Sequence, residues 1–351
     1  MNDSIFTPEF NLTPAIEGAI EEIDRNRWLI ENVLLMPKHE TWLRREVAIQ
    51  RASGTTRIEG ASLDETAVSN LLRKGPTGKL SDDEEANLNA VRAYEFVDYL
   101  SDQADIPIDE LVIRQLNREF LYGASETLSP GVYRNGQNTV GRFIPPDQGD
   151  VPAQMRAFAL WLRADDDDLH PILKAGIAHI HLVAIHPFWD GNGRTARGVA
   201  TLILQRSQFH FKKLLSLEKV VFDLRDDYLT AIERTLGDSY QPSYDTTPWL
   251  KFFARVLTAH ALQLTGMLTD WHREMSGVHE LFERKGLEVR QADGYVFALR
   301  TGRITRADYI EITNVSPSTA SRDLAELVKV GMLVPKGKTK ARVYIPSLEE
   351  K

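Results

Sequence analysis

Apolar positions recur at helical rather than alternating spacing over most of the 351 residues. Thr13-Pro14 supplies an N-cap and a first helical residue, and Ile16, Ile20, Ile23 and Leu29-Ile30 then form a stripe that predicts a helix to about Leu35. A second helix is expected from about His39 toward Ser53. A third, Asp82 to Gln103, places Ala86, Ala90, Val91, Tyr94 and Val97 near helical spacing under a strongly acidic outer face. Pro171 opens a helix in which Ile172, Leu173, Ile177, Ile180, Leu182, Val183 and Ile185 leave almost no polar side, which predicts burial all round. The expected class is mainly α.

Strand signal is confined to two places. Residues 131–145 contain the tight-turn dipeptide Asn135-Gly136 and a short strand candidate, Val140 to Ile144, before Pro145-Pro146. Near the C-terminus, Ile304 to Ile310 predicts a short helix and Thr313 to Ser316 a turn. Ser316-Pro317 then starts a second helix with Ala320, Leu324, Leu327 and Val328 on one stripe. Gly331 ends it, and Met332 to Val334 and Arg342 to Ile345 predict two strands around a basic tip at Lys336 and Lys338. This order resembles a winged helix-turn-helix.

Composition changes this picture only modestly. A length of 351 residues with 42% hydrophobic content supports two or three domains with sizeable cores. The absence of cysteine removes disulfides and thiolate metal sites. No run approaches the roughly 18 apolar residues of a membrane span, and the N-terminus lacks a basic-then-apolar leader, so cytoplasm is the expected compartment and no membrane partner is expected. The net charge of −8 argues against bulk attraction to nucleic acid. Locally the balance reverses, for Arg303 to Arg342 carries eight Lys/Arg against four Asp/Glu. The segment 304–346 would therefore suit DNA, with Ser318, Thr319, Ser321 and Arg322 toward a major groove and the lysine tip near phosphates. Because Asp323 and Glu326 lie on the same helix, dimerisation or protein docking remains an equal alternative. The chain neither specifies nor excludes a homodimer.

The chemistry is concentrated in His186-Pro-Phe-Trp-Asp-Gly-Asn-Gly-Arg-Thr-Ala-Arg197. Gly191-Asn192-Gly193 is a turn of small residues followed by a helix-forming run from Arg194 to Gln205, so an anion would sit at a helix N-terminus, where free N–H groups and the helix dipole favour negative charge. Arg194 and Arg197, spaced i, i+3, lie on one side of the first turn and suit bidentate grip of phosphate oxygens. Asp190 is a hard oxygen ligand suited to Mg²⁺, and His186 is a proton acceptor near neutral pH.

The run resembles the Fic family pattern His-x-Phe-x-Asp/Glu-Gly-Asn-Gly-Arg-x-x-Arg at every specified position. That resemblance implies transfer of AMP from ATP to a protein hydroxyl. His186 would deprotonate the target and Asp190 would hold Mg²⁺. Asn192 and the amides of Gly191 and Gly193 would hold phosphates, Arg194 and Arg197 would hold the leaving pyrophosphate, and Phe188 would anchor the loop. It also implies that 131–145 is a β-hairpin flap that aligns the target segment by strand addition, and that Thr55 to Gly60 matches an inhibitory Ser/Thr-x-x-x-Glu-Gly/Asn helix whose Glu59 pairs with Arg197. The expected organisation is an N-terminal helical segment (1–79), a Fic core (80–265) and a winged helix domain (275–351).

Two rivals stay open: a DNA-binding regulator whose nucleotide site only senses, and a Fic enzyme using another nucleotide donor or removing AMP. His179 and His181 are expected to be core groups rather than metal ligands. The carboxylate run Asp165 to Asp168 is expected to be a solvated loop, and Trp189 a packing residue.

Overall fold

The computed structural model describes residues 6–33, 35, 37–75, 78–123, 129–164, 169–337 and 342–347. The run Asp165 to Asp168 and the lysines Lys338 and Lys340 lie outside the described residues. The chain forms two compact units, one made of Met1–Glu31 with Arg44–Gln263, the other of Asn32–Leu43 with Leu264–Lys351.

The first unit is helical. It contains α1 (Pro14–Asn32, up to Glu31), the later part of α2 (Pro37–Ile58), α3 (Glu65–Lys74), α4 (Asp82–Ser101), α5 (Glu110–Phe120), α6 (Val151–Arg163), α7 (Pro171–Ile185), α8 (Asn192–Arg206), α9 (Leu217–Asp223), α10 (Arg225–Leu236) and the first part of α11 (Thr247–Arg284). The pair α7 and α8 is its centre, with α4 and α5 packed on α8 and α6 on α7. As its sequence dictates, α7 is buried from Ile172 to Ile185 at every position but Lys174. Pro171 sits in its first turn, where no N–H is needed, and the His170 ring accepts from the Ile172 N–H.

Local differences from the pattern have identifiable causes. In α1, Ile16, Ile23 and Ile30 are buried but Leu29 is 39% exposed; Asn26 takes the inward position, its amide donating to the Glu22 carbonyl. The helix stops at Asn32, short of Leu35, and the next helix opens at Pro37. By contrast α2 runs beyond Ser53 through Gly54, Thr55 and Thr56, which are weak helix formers. Tertiary packing overrides that weakness. Thr55 and Thr56 are buried, Thr56 Oγ1 donates back to the Ala52 carbonyl, and Gly54 is the close-approach point, since a Cβ there would lie 2.8 Å from the backbone carbon of Glu218 in α9.

Residues 131–145 hold a tighter, shorter turn than the sequence suggests. Val140 and Phe143 exchange both backbone hydrogen bonds around Gly141-Arg142, and Ile144 pairs with the 238–240 segment, donating to the Asp238 carbonyl and accepting from the Tyr240 N–H. The hydrogen-bonded turn falls at Gly141-Arg142, and the chain also bends at Asn135-Gly136, where Arg134 Nη1 donates to the Gly136 carbonyl.

In the second unit, α12 (Val289–Thr301), α13 (Arg306–Thr313) and α14 (Pro317–Lys329) enclose a core that includes Phe282, Ile304, Tyr309, Leu324, Leu327 and Leu333. Strands β1 (Ile304–Thr305), β2 (Leu333–Lys336) and β3 (Val343–Pro346) form an antiparallel sheet in the order β1-β3-β2, with Ile304 opposite Tyr344 and Lys336 opposite Val343. Ile304 and Thr305 are thus a strand rather than the start of a helix. Thr305 caps α13 in a capping box with Asp308, which places the helix start at Arg306.

Candidate active site

His186 terminates α7 in the left-handed region (φ 48°, ψ 57°), its N–H donating to the Leu182 carbonyl. A non-glycine residue there is strained and persists only where its surroundings hold it. The holding is visible. Arg134 Nε donates to the His186 carbonyl at 2.9 Å, and the Arg134 N–H donates to the Pro187 carbonyl at 2.8 Å. The ring Nδ1 lies 3.4 Å from the Val183 carbonyl oxygen, so with its proton on Nδ1 the ring leaves Nε2 as a free acceptor. Burial lowers the His186 pKa to about 4, outweighing the Val183 carbonyl and the carboxylates of Glu59 and Asp190, so the ring is a neutral base at physiological pH.

The turn after His186 is closed by side chains. Asn192 Oδ1 accepts from the Phe188 N–H at 3.0 Å and Asn192 Nδ2 donates to the Phe188 carbonyl at 2.9 Å, while Phe188 is 1% exposed. The Asn192 side chain is therefore committed to shaping the loop, and what it offers a phosphate is its backbone N–H. Gly191, at φ 74°, caps α8. The first N–H groups of a helix lack intrahelical acceptors, and that of Thr195, bonded to the Gly191 carbonyl at 2.8 Å, is the first here to find one. The N–H groups of Asn192, Gly193 and Arg194 thus point an anion site out of the helix start.

Asp190 accepts from the Gly191 N–H through Oδ1 and pairs through Oδ2 with Arg194 Nη2 at 3.0 Å. Its side chain is 44% exposed. Among the described residues no three His, Asp or Glu side chains converge as a metal cage. A single accessible carboxylate beside a phosphate site nevertheless suits Mg²⁺, which keeps several waters and takes one or two carboxylates plus substrate phosphates.

Arg197 is 2% exposed and fully engaged. Nε donates to Thr55 Oγ1 at 3.0 Å, Nη2 to the Thr55 carbonyl at 3.1 Å and to Glu59 Oε1 at 2.8 Å, and Nη1 to the Tyr228 hydroxyl at 3.4 Å. Burial opposes its charge, but Tyr228 and Glu59 outweigh that and hold the guanidinium charged. The same Glu59 oxygen lies 2.6 Å from where a Cβ on Gly193 would be, directly over the start of α8. The structure therefore brings together all eight expected side chains and glycines, namely Glu59, His186, Asp190, Gly191, Asn192, Gly193, Arg194 and Arg197.

Two buried polar residues escaped the sequence reading as site residues. Arg134 is one. Asn117 is the other, donating to the Asp190 carbonyl at 2.9 Å and accepting from the Gly131 N–H at 2.9 Å, so it ties α5 to both loops. The half-buried Trp189 ring lies against Gly136, where an added Cβ would be 2.9 Å from its Cη2. His179 stacks on Trp249 with centroids 4.6 Å apart, and His181 on Phe6 at 3.5 Å; burial depresses both pKa values, that of His181 to about 3. Both are core groups. Beside the 140–143 turn, a cavity of about 280 Å³ is lined by Val140, Phe143, Val183, Leu229, Ile232 and Leu236.

Residues 107–204 match the Fic/DOC family. The chain is 32% identical over 170 residues to a protein named protein adenylyltransferase Fic from Drosophila sechellia, covering 47% of this chain and 34% of that one. It is 44% identical over 105 residues to the protein of the same name from Nematostella vectensis, covering 30% and 24%. The chain thus spans about a third or less of the length of these curated relatives. Among solved structures, a Fic family protein from Desulfovibrio desulfuricans G20 superposes over 99% of this chain and 100% of its own, with a TM-score of 0.67 at 21% identity. Fic-1 from C. elegans covers 73% and 72%, with a TM-score of 0.61 at 24% identity. These two likenesses are ones of fold.

Proposed function

We propose that this chain, which carries a Fic domain over residues 107–204, transfers AMP from ATP to a hydroxyl side chain of a target protein. The observation that carries this reading is a neutral His186, with Nε2 free, at the mouth of an anion-ready helix start. Binding alone has no use for a base.

The target oxygen attacks the α-phosphorus and its proton passes to His186 Nε2. The new P–O bond forms as the bond to the pyrophosphate oxygen breaks. The N–H groups opening α8 neutralise phosphate charge, and Arg194 and Arg197 grip the departing pyrophosphate. Asp190 would hold Mg²⁺, which when bound offsets phosphate charge. The target segment docks at 131–145, a reading supported by the exposed turn at Gly141-Arg142 and the apolar cavity beside it. Glu59 restrains the reaction, because Arg197 cannot hold its carboxylate and a phosphate at once. Incubation with ATP labelled at the α or γ position tests the reading: protein should acquire α-label and no γ-label. Transfer from a different nucleotide, or release of AMP from a modified protein without forward transfer, would instead select the alternative Fic chemistries.

A second reading concerns 304–346, and one observation favours it. Asp323 is 1% exposed and turned inward, accepting from Arg290 Nε at 2.8 Å and from the Tyr309 hydroxyl at 3.1 Å, and Glu326 accepts from Gln291. The exposed positions of α14 include Ser318, Ser321, Arg322, Glu326 and Lys329, with Lys336 exposed on β2. We therefore read α14 as a DNA-contacting helix. The full-length chain should retard a duplex at low salt, with affinity falling steeply as salt rises, and Arg322→Glu with Lys336→Glu should abolish the shift. Absence of a shift at low salt would return this unit to protein docking.

A further inference from the structure

We infer that Arg134 is a positioning residue that joins the target-docking segment to the general base as one rigid piece. This inference rests on the reading of His186 as base and of 131–145 as the docking segment.

The geometry is unusually complete for a single side chain. Arg134 is 2% exposed. Its Nε donates to the His186 carbonyl at 2.9 Å, its Nη1 to the Gly136 carbonyl at 3.0 Å and the Gln137 Oε1 at 3.3 Å, and its Nη2 to the Pro146 carbonyl. Its own N–H donates to the Pro187 carbonyl. Gln137 adds a further tie, its amide donating to the Pro145 carbonyl at 2.9 Å.

One guanidinium thus joins the interior of the docking segment at Gly136 and Gln137, the Pro146 that follows it, and the left-handed residue that carries the base. A planar fork with five donors in fixed directions is the group that can bind three carbonyls at once, whereas an ammonium is a point charge on a flexible stem. Two consequences separate this role from simple packing. First, His186 keeps its strained backbone because Arg134 holds its carbonyl, so losing the fork should disorder the base without touching the anion site at α8. Second, the guanidinium charge lies close enough to oppose a proton on His186. The other charged groups around that ring are Glu59 on the turn after α2 and Asp190 on the motif loop, both favouring the proton. Removing Arg134's charge leaves those two carboxylates unopposed, so the His186 pKa should rise.

The test uses the full chain with Glu59→Gly, to which Arg134→Lys or Arg134→Gln is added. Transfer of α-label should fall on the order of 10²-fold in both, the range associated with losing a positioned base, while KM for ATP stays within about threefold. NMR titration of the His186 ring, made with Glu59 in place so that both carboxylates remain, should give a higher pKa in Arg134→Gln than in Arg134→Lys, which keeps the charge. If Arg134→Gln does not fold, Arg134→Lys alone decides, since a parent transfer rate there excludes the fork. Parent transfer rates in both variants, or an unmoved titration in Arg134→Gln, would overturn the inference. The titration needs no nucleotide, so a chain that transfers no AMP in any variant would sink the functional reading while leaving Arg134 testable.

Discussion

The Glu59→Gly chain is expected to transfer α-label, to itself and to targets, at a rate well over ten times that of the parent. The reasoning is one of competing acceptors at a single donor. Arg197 Nη2 donates to Glu59 Oε1 at 2.8 Å and the remaining guanidinium nitrogens are held by Thr55 and Tyr228. The guanidinium is buried, so a phosphate oxygen that needs this nitrogen meets it only after the carboxylate has left. Glycine at 59 removes the competitor and leaves Thr55, which keeps the fork aimed. Glu59→Asp, one methylene shorter, should fall between the two. Adding Arg197→Ala to Glu59→Gly should erase the gain, because the freed clamp is then missing. Equal transfer rates in parent and Glu59→Gly at saturating Mg²⁺ and ATP would reduce the match from Thr55 to Gly60 to coincidence.

His186→Ala, placed in the Glu59→Gly chain, should lower transfer by about 10²- to 10⁴-fold while ATP binding changes little. The ring contributes no donor to the helix start proposed to hold phosphates; its backbone is held through Leu182 and Arg134. The pH dependence carries a sign. Burial lowers the pKa to about 4, so the base is already neutral at pH 6 and transfer should stay flat from there to pH 8, then fall with acidity as pH approaches 4. A parent rate in His186→Ala would assign the proton transfer elsewhere.

The site was legible wherever function is written in local sequence. Residues 186–197 are contiguous, so a turn of small residues, a carboxylate and two arginines one helical turn apart declare an anion site without tertiary information. Glu59 was legible only through its resemblance, because its partner lies 138 positions away. Arg134 and Asn117 were not legible as site residues. Their partners are main-chain groups of other loops, and a carbonyl oxygen leaves no mark in a sequence. Asp323 looked like an obstacle to a basic surface because charge counting cannot say which way a side chain faces; burial against Arg290 and Tyr309 answers that.

The bareness of Gly193 bears on the restraint proposed for Glu59. Glu59 Oε1 and Arg197 Nη1 lie 2.6 and 3.2 Å from the missing methyl position, so the carboxylate occupies the room above the first turn of α8 as well as neutralising a guanidinium. Neutralising the side chain is then a different operation from removing it. Glu59→Gln keeps nearly the same shape and an oxygen that Arg197 can still bind, so its transfer rate should remain nearer the parent than the Glu59→Gly chain. If Glu59 restrains transfer as proposed, release would require vacating the place above Gly193 rather than cancelling a charge.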